Sequence, residues 1–320
     1  MRAVRFHEHG DPDVLEVEEI ETPSPEAGEV RIEVRAASVN PVDTYFRSGD
    51  YQPPTMPSIP GMDFAGVVDE AGPGVTDYAP GDRVFGANLG SGTHGSTAEY
   101  MTTPTGQIAP LPEGVDFETA GVAGVAAMTP WRAIVDHASL EPGEYSLVHG
   151  GSGGVGHVGV QIAAGLGSRV TTTAKPEYHD RLRELGADAV VDYQQDDLAD
   201  AIAEAADGAP DVVVDHMPER YLQLDCDVAA HGARIVAYRN RHSSAEFTDL
   251  PSVGGKELRF NVMSATNTPG LSDRLERIGR LLADGWLDIE IADTYEFSEL
   301  PEAHRRIWEE SFFGKLAVVP

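Results

Sequence analysis

The sequence predicts an α/β protein: a doubly wound, six-stranded parallel sheet joined to a second, β-rich domain. Three observations carry this. Residues 145–174 (YSLVHGGSGGVGHVGVQIAAGLGSRVTTTA) run from an apolar segment through a glycine-dense turn into a helical pattern and then a second β-rich segment. From Glu144 onward, strand-like and helix-like segments alternate, as a parallel sheet with crossover helices requires. The first 120 or so residues instead carry short β runs cut by glycine and proline turns. The chain has 320 residues, 41% of them hydrophobic, which suffices for two packed domains.

In the N-terminal part the alternating runs are Val30-Arg31-Ile32-Glu33-Val34, Phe64-Ala65-Gly66-Val67-Val68 and Arg83-Val84-Phe85. Pro60-Gly61, Gly72-Pro73-Gly74 and Pro80-Gly81 separate them, the punctuation of a compact β barrel or sandwich. Helical patterns follow over 116–122 and 128–137. Candidate strands of the parallel sheet are 145–149, 169–173, 189–191, 212–215, 234–238 and 258–262. Helical patterns lie between them, at 180–185, 198–206 and 221–229 for example. After a further helix over 271–284 the chain returns to β character and ends Gly314-Lys315-Leu316-Ala317-Val318-Val319, a tail expected to rejoin the first domain.

Gly151, Gly153 and Gly156 fit G-x-G-x-x-G, and Gly150 gives an overlapping G-x-x-G-x-x-G. Between a strand and a helix this pattern marks a dinucleotide loop. One glycine makes the turn, one lets backbone approach the pyrophosphate, and one lets helix and sheet pack closely. The helix N-terminus then offers unpaired N–H groups and a positive dipole end to phosphate. A carboxylate near the tip of the second strand would grip a ribose 2′-hydroxyl. Here that strand ends Thr172-Thr173-Ala174-Lys175, and Glu177 comes only past Pro176. Lys175 and Arg181 suit a 2′-phosphate, with hydroxyls expected from Thr172 and Thr173, so NADPH is favoured over NADH. The alternative for Lys175 is an ordinary solvated side chain.

The net charge is −30, with 53 acidic residues against 23 lysines and arginines. The acids are spread along an otherwise globular sequence rather than gathered in a tail. Such charge argues against a nucleic-acid partner, which needs a basic face. It also makes the chain self-repelling in dilute buffer, so the composition suits a salt-rich cytoplasm. Lowering KCl from molar to about 0.1 M lengthens the screening distance from about 3 to about 10 Å, and the thermal midpoint is expected to fall; a midpoint that rises on desalting contradicts this. Cys226 is the only cysteine, which excludes an intrachain disulfide and a cysteine-based zinc site. It is expected to be a structural thiol on a helix. The start, MRAVRFHEHG, lacks the apolar core of a signal peptide, and no long uncharged apolar run is present to span a bilayer, so a cytoplasmic location is expected.

Three segments carry a family resemblance. Asn40-Pro41-Val42-Asp43-Thr44-Tyr45-Phe46-Arg47-Ser48-Gly49-Asp50-Tyr51 is close to N-P-V-D-T-Y-x-R-S-G-x-Y, and His149-Gly150-Gly151-Ser152-Gly153-Gly154-Val155-Gly156 to H-G-A-S-G-G-V-G. Gly81-Asp82-Arg83-Val84 and Gly314-Lys315 match as well. The chain thus resembles, from end to end, the zinc-free, zeta-crystallin-like NADPH:quinone oxidoreductases of the medium-chain dehydrogenase/reductase superfamily. The resemblance implies a chaperonin-10-like β-barrel domain built from both chain ends (1–122 and 266–320) around a Rossmann domain (123–265). It implies NADPH between the domains, hydride delivery to a quinone, and a homodimer. It gives Asn40 the nicotinamide carboxamide, since an amide donates and accepts at once. Tyr45 and Tyr51 fall in the substrate pocket, where a phenol can face a developing oxyanion. Cofactor contacts are implied for Thr129, Gly150, Gly151, Ser152, Gly153, Gly154, Val155, Gly156, Thr173, Lys175, Tyr193, Phe313 and Lys315. Zinc-binding members carry Gly-His-Glu where this chain has Gly61-Met62-Asp63, so no metal is expected. A quinone needs none, because aromatisation drives hydride uptake.

Other readings stay open at this point. Asn40-Pro41 also opens ordinary turns, and Tyr45 and Tyr51 also suit surface packing. His7 and His9 form a His-x-His pair without an expected metal role, and His94 and His216 are open to either solvent or substrate. The chain also departs from the family: Tyr238-Arg239-Asn240-Arg241 stands where glycine usually lets backbone near the cofactor, Asp215-His216-Met217-Pro218 replaces a glycine-bearing turn, and Glu310 falls where some members place an arginine. Arg239 or Arg241 is a candidate replacement cation. The alternatives to quinone reduction are reduction of an activated C=C, with Tyr51 as the acid, and a cofactor-binding protein without turnover.

Overall fold

The computed structural model describes residues 1–89, 95–206, 208–238, 244–265 and 268–320. His94, Arg239 and Arg241 lie outside the described residues. The chain forms two compact units, Met1–Met128 with Thr266–Pro320, and Thr129–Ala265.

The first unit is a seven-stranded sheet wrapped around one core. Its centre is the long strand Glu29–Val39, whose period-2 pattern sends Val30, Ile32 and Val34 inward. Antiparallel partners lie on both sides: Asp63–Ala71 on one and Lys315–Val319 on the other, with Tyr100–Pro104 pairing its first half. Arg83–Ala87 and Ile108–Pro110 extend one edge, and Ile291–Glu296 runs parallel to Lys315–Val319 at the other. The last residues therefore do rejoin the first domain. Gly314 makes that return: its φ is +92°, and a Cβ there would lie 2.2 Å from the Glu290 carbonyl oxygen. Phe6, Phe64, Phe85, Met101 and Ile108 are fully buried, each contributing about 1.5–3 kcal/mol of burial free energy.

The second unit is a six-stranded, all-parallel sheet in the order Ala189–Val191, Arg169–Thr173, Tyr145–Val148, Val212–Asp215, Arg234–Tyr238, Arg259–Met263. This is the Rossmann order. The chain reverses direction across the sheet between Tyr145–Val148 and Val212–Asp215, the switch point where such sheets place ligands. The expected strand 258–262 sits one residue later, at Arg259–Met263; it pairs on one side only and leaves Val262 82% exposed. The expected helix 221–229 starts earlier, at Pro218, because proline at the first turn loses no helical hydrogen bond. The pattern over 128–137 becomes the end of helix Ala123–Trp131, with Pro130 inside it, and a wider π-type turn over Arg132–His137. Cys226 is fully buried in the core with Leu147, Val213 and Ile235, and burial pushes its thiol up to about 11, so it is a packing residue.

Candidate functional site

The glycine loop follows the strand Tyr145–Val148 at the switch point. Gly150 has φ +69°, and its N–H donates to Thr173 Oγ1 at 3.0 Å. The Gly151 N–H donates to the Thr173 carbonyl at 2.9 Å, and Gly153 N–H to the Gly150 carbonyl at 3.0 Å. The turn is too tight for side chains. A Cβ on Gly151 would lie 2.2 Å from Thr172 Oγ1, and one on Gly156 only 2.0 Å from the Gly150 carbonyl oxygen. Ser152, Gly153, Gly154 and Val155 form the partly exposed rim, and helix Gly156–Gly165 begins directly behind it. The residues thus fit a pyrophosphate: a rim of backbone, a helix N-terminus, and no Cβ in the cradle. Thr129 Oγ1, in the same unit, is buried with no partner among the described residues, a hydroxyl still available for a ligand.

The expectation that Thr172 and Thr173 turn hydroxyls toward a 2′-phosphate does not hold. Both are buried, Thr172 Oγ1 donates to the Val148 carbonyl at 2.6 Å, and Thr173 Oγ1 accepts from Gly150. The neighbouring strand thus spends one hydroxyl on the loop-bearing strand and the other on the loop. Lys175 is half-buried just past the strand tip, whereas Arg181 is held by Glu184 at 3.0 Å. Tyr193 packs on the core of this unit, and Arg220 lies 5.9 Å from its ring centroid.

Beneath the loop lies a buried polar chain that the sequence did not announce. His149 stacks on Tyr221 at 4.5 Å with a 6° interplanar angle. Its Nε2 meets Asp225 Oδ1 at 2.8 Å, and its Nδ1 meets Thr173 Oγ1 at 3.2 Å. Burial holds the imidazole down to about 4, so it is neutral, donates to Asp225, and accepts from Thr173. Asp225 and Asp215 are fully buried and bonded side chain to side chain. Asp215 Oδ1 accepts from the Met217 N–H at 2.7 Å, but neither Oδ2 has an N–H or O–H donor among the described residues. Burial pushes both carboxyls up to about 8, and the charge of Asp225 adds to the rise of Asp215, so the pair holds on to a proton at neutral pH. His216 borders the same place: a Cβ on Gly150 would strike its ring at 2.6 Å, and Tyr238 lies 6.5 Å away.

In the first unit the structure brings Asn40 and Lys315 together, far apart as they are in the chain. Asn40 precedes helix Pro41–Ser48 and is 3% exposed. Its Nδ2 donates to Asp63 Oδ2 at 2.9 Å and to Ser38 Oγ at 3.1 Å, and its Oδ1 accepts from Lys315 Nζ at 2.6 Å. Lys315 also donates to the Val39 carbonyl at 3.1 Å and stands 3.7 Å from Asp63. Its ammonium is therefore turned inward rather than onto the surface; burial pulls its pKa down, against the pull of Asp63 and Asp43. Asp43 accepts from the Asn40 backbone N–H at 2.7 Å, and burial pushes its carboxyl up to about 7. Asp63 was visible in the sequence only as a departure from Gly-His-Glu.

Tyr45 and Tyr51 also meet, edge to face at 5.8 Å. Tyr45 is buried against Trp308 at 5.7 Å, and Tyr51 is partly exposed. Burial, with Tyr45 and Asp50 nearby, raises the Tyr51 phenol, which keeps its proton at neutral pH. Phe313 is half-buried ahead of Gly314. His7 pairs with Glu18 at 2.5 Å and His9 with the Phe46 carbonyl at 3.1 Å. Among the described residues no group of three or more His, Cys, Asp or Glu side chains is placed to hold a metal ion, and no helix is long and apolar enough to cross a membrane.

Two family models match: the alcohol dehydrogenase GroES-like domain over residues 26–113 and the zinc-binding dehydrogenase over residues 185–318. The chain is 31% identical over 315 residues to the quinone oxidoreductase of Homo sapiens, covering 96% of this chain and 94% of that one. Among solved structures it is similar to an NAD-dependent alcohol dehydrogenase, with a TM-score of 0.92, 30% identity and full coverage of both chains. It is similar too to the Escherichia coli quinone oxidoreductase complexed with NADPH, with a TM-score of 0.91, 26% identity and full coverage of both.

Proposed function

The chain belongs to the quinone oxidoreductases of the medium-chain dehydrogenase/reductase superfamily, a family of enzymes, and on that premise we propose that it passes reducing equivalents from NADPH to a quinone without a metal. The observation that carries this reading is the glycine cradle at the switch point of the parallel sheet, closed to any side chain at Gly151 and Gly156. When bound, the cofactor supplies hydride from its reduced nicotinamide ring. The loop Gly150–Gly156 with Ser152 takes the pyrophosphate on backbone N–H groups, and Thr129 offers its unspent hydroxyl. Lys175 meets the 2′-phosphate, Tyr193 flanks the adenosine side, and Phe313 lies along the cofactor. Asn40 holds the nicotinamide carboxamide. Residues 123–265 thus act as the cofactor domain and residues 1–122 with 266–320 as the catalytic one. Tyr45 and Tyr51 border the acceptor. The Tyr51 phenol, which keeps its proton, donates a hydrogen bond to the oxygen that gains charge. The acidic composition suits a salt-rich cytoplasm, and the dependence of the thermal midpoint on KCl tests that salt adaptation.

A second reading, reduction of an activated C=C, is supported by the same phenol: a protonated, partly exposed tyrosine is an acid for the carbon next to a carbonyl. Purified protein is assayed in molar KCl against a panel of quinones and enals, with NADPH and NADH compared. Quinone turnover faster with NADPH is expected, and Tyr51→Phe is expected to keep it within about fivefold, the loss of one hydrogen bond of roughly 0.5–1 kcal/mol. Turnover of enals alone, abolished by Tyr51→Phe, replaces quinone reduction with the second reading.

A further inference from the structure

The Asn40 carboxamide sits between two groups of opposite hydrogen-bonding character. An ionised carboxylate only accepts, and an ammonium only donates. Asp63 Oδ2 takes the amide nitrogen at 2.9 Å, and Lys315 Nζ takes the amide oxygen at 2.6 Å. A flipped amide would set N–H groups against the ammonium and its oxygen against the carboxylate, two repulsive contacts in a buried site. Both flanking groups are themselves anchored. Asp63 Oδ1 accepts from the Val125 N–H at 2.6 Å, and its Oδ2 accepts from Ser38 Oγ at 2.6 Å. Lys315 is tied to the Val39 carbonyl at 3.1 Å. Adjacent strands deliver all three residues: Ala37 is registered against Phe64, next to Asp63, and Val39 against Leu316, next to Lys315. The two acceptors of Nδ2 lie only 2.6 Å apart, so one N–H can serve both. With one N–H shared in this way, the amide has one N–H and one oxygen lone pair left for a ligand.

We propose that Asp63 and Lys315 are positioning residues that fix which way the Asn40 carboxamide faces, so that its remaining donor and acceptor meet a ligand amide in one orientation only. This rests on the reading of Asn40 as the residue that holds the cofactor carboxamide. It removes Lys315 from direct cofactor contact and gives both residues a role through Asn40.

The test compares Asp63→Asn, Lys315→Met, their charge-neutral combination and Asn40→Ala, with NADPH dissociation constants from titration calorimetry, thermal midpoints and quinone kinetics. Each single variant leaves a buried charge unpaired, so its midpoint is expected to fall. The combination is expected to regain most of the midpoint while NADPH binding stays about tenfold weaker, the size of one lost hydrogen bond, because nothing then sets the amide's orientation. Recovery of both midpoint and affinity in the combination overturns the proposal and leaves the pair as structural glue. Unchanged affinity in Asn40→Ala overturns the reading of Asn40 itself, which is a separate failure. If the combination does not fold, the wild-type protein decides: with nitrogen-15 asparagine, the Asn40 side-chain N–H that faces Asp63 and Ser38 is expected to be protected from exchange. Rapid exchange of both Asn40 side-chain protons overturns the proposal.

Discussion

Replacing Gly156 with alanine is expected to weaken NADPH binding by at least about a hundredfold and to destabilise the fold by about 1–3 kcal/mol. A Cβ at this position would lie 2.0 Å from the Gly150 carbonyl oxygen, 2.7 Å from its carbon and 3.0 Å from Gly151 Cα. All three neighbours are backbone, so no side chain can swing away. Relief requires the loop to open, and opening it breaks the Gly151 N–H bond to the Thr173 carbonyl that fixes its donors. Gly153 is the internal control. Its Cβ would meet nothing nearer than the Gly150 carbonyl oxygen at 3.4 Å, ordinary contact. Gly153→Ala should therefore keep its stability within about 0.5 kcal/mol while losing affinity, because here the added methyl stands where backbone nears the pyrophosphate. Calorimetric titration with NADPH and thermal melts of both variants check this. Wild-type affinity in Gly156→Ala would remove the cofactor from this loop.

The second large effect is on stability against pH. The buried carboxyls of Asp215 and Asp225 are pushed up to about 8, and Asp43 to about 7, from an ordinary value of 3.8. The folded state thus holds protons that the unfolded chain has released. Their contribution is full below about pH 4 and is lost as pH rises toward 8, at about 1.4 kcal/mol per pH unit for each retained proton. His149 and His304 act oppositely. Burial lowers them to about 4 and about 3 from 6.5, so their contribution is present above 6.5 and lost as pH falls through the folded values. Asp215→Asn separates the terms. Its oxygen can still accept from the Met217 N–H, and its amide nitrogen can donate to Asp225, as the shared proton does now. The variant's thermal midpoint should fall less than that of the wild type between pH 6 and 9. Parallel profiles for the two proteins would show that the pair holds no proton. Because Asp225 supports His149, which supports Thr173 and the Gly150 N–H, NADPH affinity should weaken over the same alkaline range in the wild type.

The parallel sheet was legible because its signals are local. Strands such as Val212–Asp215 and Arg234–Tyr238 are short apolar runs with turns at both ends, and their bounds needed no neighbours to be found. The paired strands Arg2–Arg5 and Glu16–Glu19 were not found; mixed polar sequences of four residues have no period to read. On the candidate site, the glycine loop was legible and its support was not. Thr173 looked like an outward hydroxyl at a strand tip, but its strand neighbours the loop-bearing one and binds Gly150 instead. Lys315 was legible only as part of a C-terminal segment beside the cofactor; its bond to Asn40, 275 residues away, was not.

By itself the sequence determined the Rossmann sheet, the return of the chain's end to the first domain, and the place of the glycine loop. Each depends on backbone sterics and on hydrophobic period within a few residues. Only the tertiary structure decided which polar groups meet: Asp63 and Lys315 around Asn40, and the carboxyl pair beneath His149. Burial gives these contacts their force, because a charge or amide removed from water must find its partner wherever the fold brings one, and chain separation carries no trace of that choice.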